Sequence, residues 1–190
     1  MTPQRPDDSQ IDALVVSAQE GDKDAFGKIY DTFFDAIYRY VFFRMRAGEV
    51  EDVVENIFIK CWMNLDKYEK RDFSFSAWLY KIACNTVIDY HRSHRKIEAI
   101  DERIVDESEE AMPKKIAEDG LMSEKVRAAL NQLKDPYRQV VTLKFLNGLS
   151  NFEIAEILGE REGNIRVLQF RGLKELKKNL EEQGISREIL

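Results

Sequence analysis

The chain has 190 residues, enough for one medium domain or two small ones. Its 29 Lys and Arg residues against 35 Asp and Glu give a net charge of −6, which argues weakly against a nucleic-acid-binding protein. A hydrophobic content of 44% excludes a wholly disordered chain, and no apolar run is long enough for a membrane span or a secretory signal. We therefore predict no membrane insertion.

Apolar residues in the N-terminal half recur every three or four positions, as on the buried face of an amphipathic helix. They predict three long helices. Gly48 separates the first helix from the second, and the third helix ends in the basic run 91–96. The residues predicted to face inward are Phe26, Ile29, Phe33, Ile37 and Val41, then Val54, Ile57, Phe58, Cys61, Trp62 and Leu65, and then Trp78, Leu79, Ile82, Ala83, Thr86 and Tyr90. No alternation long enough for a strand occurs, so the sequence predicts an all-α fold.

An acidic segment separates this pattern from the C-terminal half. Residues 97–119 hold nine acidic and three basic residues, so this stretch alone accounts for the net charge of −6. We predict a flexible acidic linker between two small helical domains. The alternative is a solvated helix packed on one of the domains. The predicted division is an N-terminal tail 1–10, a helical domain 11–96, the linker 97–120, a second helical domain 121–182 and a C-terminal tail 183–190.

Capping signals divide the C-terminal half into helices. Ser123 can cap the first of them, and Asp135 followed by Pro136 is a cap with proline at the first helical position, where its missing N–H costs nothing. Asn147 and Gly148 form a left-handed stop signal.

A helix-turn-helix pattern follows. Ser150 and Glu153 predict a capping box at the start of a short helix, which Gly159 ends. A longer helix runs from near Gly163 to about Leu180. A short capped helix, a glycine turn and a longer basic helix are typical of a DNA-binding helix-turn-helix.

The last helix of this pattern is locally positive, with six basic and two acidic residues in 161–178. Opposite its apolar face lie Arg161, Asn164, Arg166, Val167, Arg171 and Lys174. Basic residues near the start of such a helix can meet base edges in the major groove, and later ones can meet phosphates. The alternative is an ordinary solvated basic face.

A second candidate DNA surface surrounds the third helix. A stripe at helical spacing holds Lys81, Asn85, Ile88, Arg92 and Arg95, and the segment 67–76 before it interleaves cations with aromatic and hydroxyl side chains, including Lys70, Arg71, Phe73, Ser74 and Ser76. Such a segment can hold single-stranded DNA, because rings stack on unpaired bases and cations follow the backbone. The alternative is that Phe73, Phe75 and Trp78 only fill the core.

The outer face of the second helix mixes acidic with apolar side chains, and it carries Asp52, Glu55, Asn56, Ile59 and Met63. Exposed apolar residues on such a face indicate a protein partner.

No enzymatic or metal site is indicated. Cys61 and Cys84 have no partner at metal-binding spacing and are predicted to be reduced core thiols of a cytosolic protein, with a redox switch as the alternative. His91 and His94 lie three residues apart without a third ligand nearby. We predict no cofactor.

Several motifs, taken in order, resemble those of bacterial sigma factors of the extracytoplasmic-function group. They are the segments 24–30, 51–62, 75–85 with 89–90, Leu133 with 137–138, and 148–159. The resemblance covers nearly the whole chain and implies a transcription initiation factor that is not an enzyme.

The resemblance also implies a division of roles. The outer face of the second helix would dock on the clamp helices of core RNA polymerase, and the segment 67–76 with Lys81, Asn85, Asp89 and Arg92 would hold the melted −10 strand. The basic face 161–174 would read the −35 duplex, and the acidic linker would thread through the polymerase. An anti-sigma factor would be the regulator, and one bound to the membrane would hold this cytoplasmic protein there.

Two other interpretations stay open from the residues alone. One is a stand-alone helix-turn-helix regulator with a helical sensor domain, and the other is a helical adaptor that binds only protein.

Overall fold

The structure is a computed structural model that describes residues 8–45, 48–70, 74–98 and 120–184, with side chains described except at 94–98 and 120–123. All regular secondary structure in these ranges is helical, which confirms the all-α fold class. The chain divides into two compact units, Met1–Glu110 and Ala111–Leu190. Residues 99–119 of the predicted linker, Arg71, Phe73 and the side chain of Arg95 lie outside the described part.

In the first unit the helices are α1 (Asp8–Gln19), α2 (Lys23–Phe42), α3 (Val50–Met63), a short 3-10 helix (Leu65–Lys67) and α4 (Phe75–Glu98). The long helices α2 to α4 confirm the three helices that the apolar periodicity predicted. The sequence did not predict α1, which begins at Asp8 within the range assigned to a tail. Only Ile11, Val15 and Ala18 of α1 are buried, and so short a stripe gives little sequence signal.

The core of the first unit is rich in aromatic and branched side chains, among which Ile29, Ile37, Tyr40, Ile57 and Leu79 are almost inaccessible. Five inward assignments need correction, and the first is Phe26 of α2, which is half-buried. Trp62 is exposed because it follows the buried Cys61 on the helix and lies about 100° further around it. Trp78, Ile82 and Tyr90 are only half-buried.

The second unit contains α5 (Gly120–Asn131), α6 (Asp135–Val141), a π-helical turn (Thr142–Leu146), α7 (Asn151–Leu158) and α8 (Glu162–Glu182). Ser123 lies inside α5 rather than before it. Lys134 takes the N-cap position predicted for Asp135, so Pro136 lies one residue further into the first turn of α6. Gly148 has φ 72°, as the left-handed stop signal predicts.

The crossing of α6 and α8 requires glycine at position 172. A Cβ atom there would lie 2.8 Å from Val141 Cγ2 and 3.3 Å from Tyr137 Cβ. Val141 is β-branched and buried, so it has no room to move aside. Gly172 therefore sets how closely α8 approaches the core of the second unit.

We expect Gly172→Ala to destabilise the second unit by about 1 kcal/mol, because overpacking costs about 1–3 kcal/mol while the gain in helix propensity is about 1 kcal/mol. Urea denaturation followed by circular dichroism measures this loss. Both tryptophans, Trp62 and Trp78, belong to the first unit, so the fluorescence transition should stay unchanged. The control is Gly163→Ala on the same helix, where a Cβ meets open space. Equal stability of the two variants would contradict the packing argument.

Candidate functional site

Local hydrogen bonds fix the start and end of α7. The Ser150 hydroxyl accepts a hydrogen bond from the Glu153 N–H at 3.2 Å, and the Ser150 N–H donates to a Glu153 carboxylate oxygen at 2.8 Å. This confirms the predicted capping box. Gly159 ends the helix with φ 67°, and α8 begins three residues later at Glu162. The α7–α8 pair therefore has the connection of a helix-turn-helix.

The predicted DNA-facing side of α8 is exposed to solvent. Its exposed side chains are Arg161, Asn164, Arg166, Val167, Arg171 and Lys174. Two of them bind nearby acids: Arg166 contacts Glu162 at 2.6 Å, and the Asn164 amide donates to Glu160 at 2.9 Å. Exposed pairs at this helical spacing contribute about 0.2–0.5 kcal/mol, so a DNA phosphate or base can replace them at little cost.

Phe170 is an α8 side chain that the sequence prediction missed. It is 71% exposed and lies one turn beyond Arg166 on the same face of the helix. The signal that could have found it is its position opposite the buried Ile165 and Gly172. An exposed aromatic ring on a recognition helix can make apolar contact with a thymine methyl group.

The stripe on α4 is accessible along most of its length. Lys81, Asn85, Asp89 and Arg92 are exposed, and Ile88 is half-buried. From Lys81 to Arg92 the helix rises about 16 Å. Two cations separated by that distance can follow a nucleic-acid backbone, while the polar side chains between them can reach bases.

Aromatic packing distinguishes between the DNA-binding and the core-filling interpretation of the segment before α4. Phe75 is 1% exposed, and its ring lies 5.7 Å from Phe33 and 5.5 Å from Trp78. The core-filling alternative is therefore correct for Phe75. Ser76 is half-buried, and the Ser74 hydroxyl accepts a hydrogen bond from the Ala77 N–H at 3.2 Å, which caps α4.

The other end of this segment contacts α1. The ammonium group of Lys70 forms an ion pair with the Asp12 carboxylate. The free protein thus holds this predicted DNA-binding cation against a helix that the sequence did not predict.

The outer face of α3 exposes acids and apolar groups together. Asp52, Glu55 and Asn56 are exposed, Ile59 is 56% exposed and Met63 is 70% exposed. This matches the face that the sequence predicted for a protein partner.

A groove between α2 and α3 extends this face. Its volume is about 490 Å³, and its lining is Lys23, Phe26, Tyr30, Glu55, Phe58, Ile59 and Trp62. The Phe26 and Trp62 rings meet edge to face at 4.7 Å, and the Tyr30 and Phe58 rings lie 4.5 Å apart. Burial, followed by the charges of Glu55 and Asp31, raises the pKa of Tyr30, so its phenol stays protonated at neutral pH. The sequence did not predict that α2 contributes to this groove, because Phe26 was assigned to the core.

The cysteines and histidines form no reactive site among the described residues. Burial raises the pKa of the Cys61 thiol to about 12, and Cys84 is buried as well. At neutral pH the reactive thiolate of Cys61 is negligible, which disfavours the redox alternative. Within the described ranges no cluster of three or more metal-ligating side chains occurs, and His91 Nε2 lies 3.0 Å from the Arg44 carbonyl oxygen.

Two compact helical units, the second of them a helix-turn-helix, match two family models in chain order. Residues 29–97 match Sigma-70 region 2, and residues 123–176 match Sigma-70, region 4. The architecture and these matches define a bacterial sigma factor of the sigma-70 class.

Full-length relatives narrow the class. The chain is 33% identical to the ECF RNA polymerase sigma factor BldN of Streptomyces coelicolor, over 92% of this chain and 67% of the relative. It is 32% identical to the ECF RNA polymerase sigma factor SigW of Bacillus subtilis, over 90% of this chain and 96% of the relative. The chain therefore belongs to the ECF RNA polymerase sigma factor family, and its function is transcription initiation.

A solved structure shares the fold. The sigma factor RpoE of Bartonella quintana, in complex with the anti-sigma factor NepR, superimposes with a TM-score of 0.71 and 22% identity, covering 82% of this chain and 96% of that one.

Within the described ranges, every helix is too short or too polar to cross a membrane.

Proposed function

We propose that three surfaces divide the work of this sigma factor. The outer face of α3 docks on core RNA polymerase, the α4 stripe with the segment before it holds the melted −10 strand, and the exposed face of α8 reads the −35 duplex. The observation that carries the proposal is the exposure of Ile59 and Met63 on α3. Exposed apolar side chains that lie together beside an apolar groove mark a protein-interaction surface.

Docking on the polymerase uses both parts of the α3 surface. The exposed apolar side chains lose water in the interface, and the groove beside them can receive an apolar side chain of a clamp helix. Asp52 and Glu55 at the rim favour a partner with basic residues, and rim charges of this kind raise the association rate.

Holding the −10 strand uses cations and polar groups on α4. Lys81 and Arg92 neutralise phosphates, while Asn85 and Asp89 offer hydrogen bonds to unpaired bases. Arg71, Phe73 and Arg95 are assigned here from the sequence alone, and Ser74 serves by capping α4. Base stacking is worth about 1–3 kcal/mol per base, enough to capture a strand that the polymerase has opened.

Reading the −35 element uses the first turns of α8. Arg166 exchanges Glu162 for a guanine edge, which an arginine can bind with two hydrogen bonds. Arg161, Arg171 and Lys174 contact phosphates, and Asn164, Val167 and Phe170 meet base edges.

The remaining assignments follow from family membership. The protein acts in the cytoplasm without a cofactor and is not itself a catalyst, because the polymerase carries out the chemistry. An anti-sigma factor is its proposed regulator, and one anchored in the membrane would retain it there.

Run-off transcription tests the function. We expect the full chain with purified bacterial core RNA polymerase to initiate at defined positions on templates with randomised upstream sequence. Sequencing the transcribed templates then yields a promoter. Specific binding of the chain alone to duplex DNA, without directed transcription, would favour the stand-alone regulator.

We expect the double substitution Ile59→Ala and Met63→Ala to weaken binding to core polymerase about tenfold or more, since central apolar anchors often contribute over 1 kcal/mol each. Fluorescence anisotropy of labelled protein measures the affinity. Thermal stability should not fall, because both side chains are exposed. The control is Val16→Ala, whose side chain is 54% exposed on another helix of the same unit. A similar loss in the control would refute the assignment to α3.

We expect Arg166→Ala to reduce transcription from a promoter with an intact −35 element by about tenfold, because the contact of an arginine with a guanine edge through two hydrogen bonds is worth about 1–3 kcal/mol. Transcription from a pre-melted template lacking that element should not change. Lys177→Ala is the control, because Lys177 pairs with Glu181 at 3.6 Å further along α8. Equal losses on both templates would place the effect outside −35 recognition.

A further inference from the structure

We propose that α1 is a positioning element for residues 67–70, with which the segment 67–76 begins, and that Gln19 is the residue through which it acts. This inference rests on the proposed role of that segment in holding the −10 strand. The region 2 match begins at residue 29, so α1 lies wholly outside it.

The contact is made by one side-chain amide. Gln19 Nε2 donates hydrogen bonds to the carbonyl oxygens of Leu65 and Tyr68, each at 2.8 Å. The nitrogen must face these atoms, because carbonyl oxygens only accept hydrogen bonds. The Leu65 oxygen also accepts the Tyr68 N–H at 3.1 Å. Both N–H groups of Gln19 therefore fix the turn from which the segment departs.

Tyr68 transmits this position to α4. Its buried ring lies 5.4 Å from Phe75 and 5.3 Å from Trp78, which are in the first turn of α4. The carbonyl held by Gln19 and the ring packed on α4 belong to the same residue. A change at Gln19 therefore shifts the segment against the helix that carries Lys81.

A second contact binds α1 to the same segment. Asp12 pairs with Lys70 five residues beyond the turn at Leu65. Burial, and then the nearby carboxylates of Asp12 and Asp8, raises the pKa of Tyr68 to about 12, which agrees with the close approach of α1. The acidic side of α1 thus lies along the start of the segment.

Gln19 is suited to positioning rather than to packing. The residue is exposed, so it adds little to the core, whereas Ile11, Val15 and Ala18 hold α1 in place. Loss of its amide therefore releases the turn and leaves the helix attached.

The test measures how the holoenzyme binds a fork-junction DNA whose −10 strand is unpaired, made from the promoter recovered by run-off transcription. Gln19→Met keeps the length of the side chain and removes both donors. We expect about three- to tenfold weaker binding of the fork, as for the loss of hydrogen bonds at the lower end of their net range. Affinity for core polymerase should stay unchanged, while Tm should fall slightly, because the two hydrogen bonds also contribute to folding. Gln19→Lys, which restores donors, should recover most of the affinity.

Two comparisons make the outcome decisive. Gln10→Met is the same substitution at an exposed position on α1 and should have no effect. The double variant Lys81→Ala and Arg92→Ala tests the proposed function in the same assay. If that variant loses fork binding and Gln19→Met does not, the inference about α1 is wrong while the proposed function stands. If neither loses it, the −10 assignment itself fails. A loss of core affinity as large as the loss of fork binding in Gln19→Met would reduce Gln19 to a structural role.

Discussion

The packing of α3 between α2 and α4 is the constraint on which the first unit depends. Val53, Val54, Ile57, Phe58 and Cys61 point into the core, so the rotation of α3 is fixed, and with it the residues left outside. A hydrogen bond also joins α3 to α4, because the half-buried Lys60 donates to the Thr86 hydroxyl at 3.2 Å. The same buried face therefore determines where the proposed polymerase surface lies and where the proposed DNA stripe of α4 begins. A sigma factor must keep these two surfaces in register, because the polymerase delivers the opened strand.

In the second unit, close packing against α6 and α5 fixes the position of α8. Gly172 lets α8 lie against α6, and the buried Asn179 donates a hydrogen bond to the Ala129 carbonyl oxygen at 3.1 Å, which ties the far end of α8 to α5. These contacts fix α8 at its middle and at its end. Its first turns, which carry the exposed arginines, are then presented without support from the DNA itself. The proposed recognition surface is therefore preorganised, and DNA binding does not have to order the helix.

Much of this arrangement could be predicted from the sequence, since burial and capping leave local signals. Helical periodicity identified α2 to α4, and the Ser150 and Glu153 pair located the start of α7. Other features depend on tertiary contacts that no local pattern encodes. Trp62 is apolar and looks like core, yet it lies one position past the buried stripe. Phe75 stands among cations and hydroxyl groups like a DNA-binding ring, yet it fills the core. The contact of α1 with the turn at residues 65–68 could not be predicted, because Gln19 binds main-chain carbonyl groups about fifty residues away.

The Arg166–Glu162 pair has a consequence for the ion atmosphere of the complex. A basic residue that is unpaired in the free protein displaces a counterion from DNA when it binds, and this release makes affinity fall as salt rises. Arg166 already has an anionic neighbour, and the carboxylate that it leaves behind takes up a cation from solution. Its net contribution to counterion release is therefore small. In its proposed role, Arg166 adds to the choice of sequence more than to the salt sensitivity of binding, which lets the protein discriminate among promoters without a matching increase in its attachment to DNA in general.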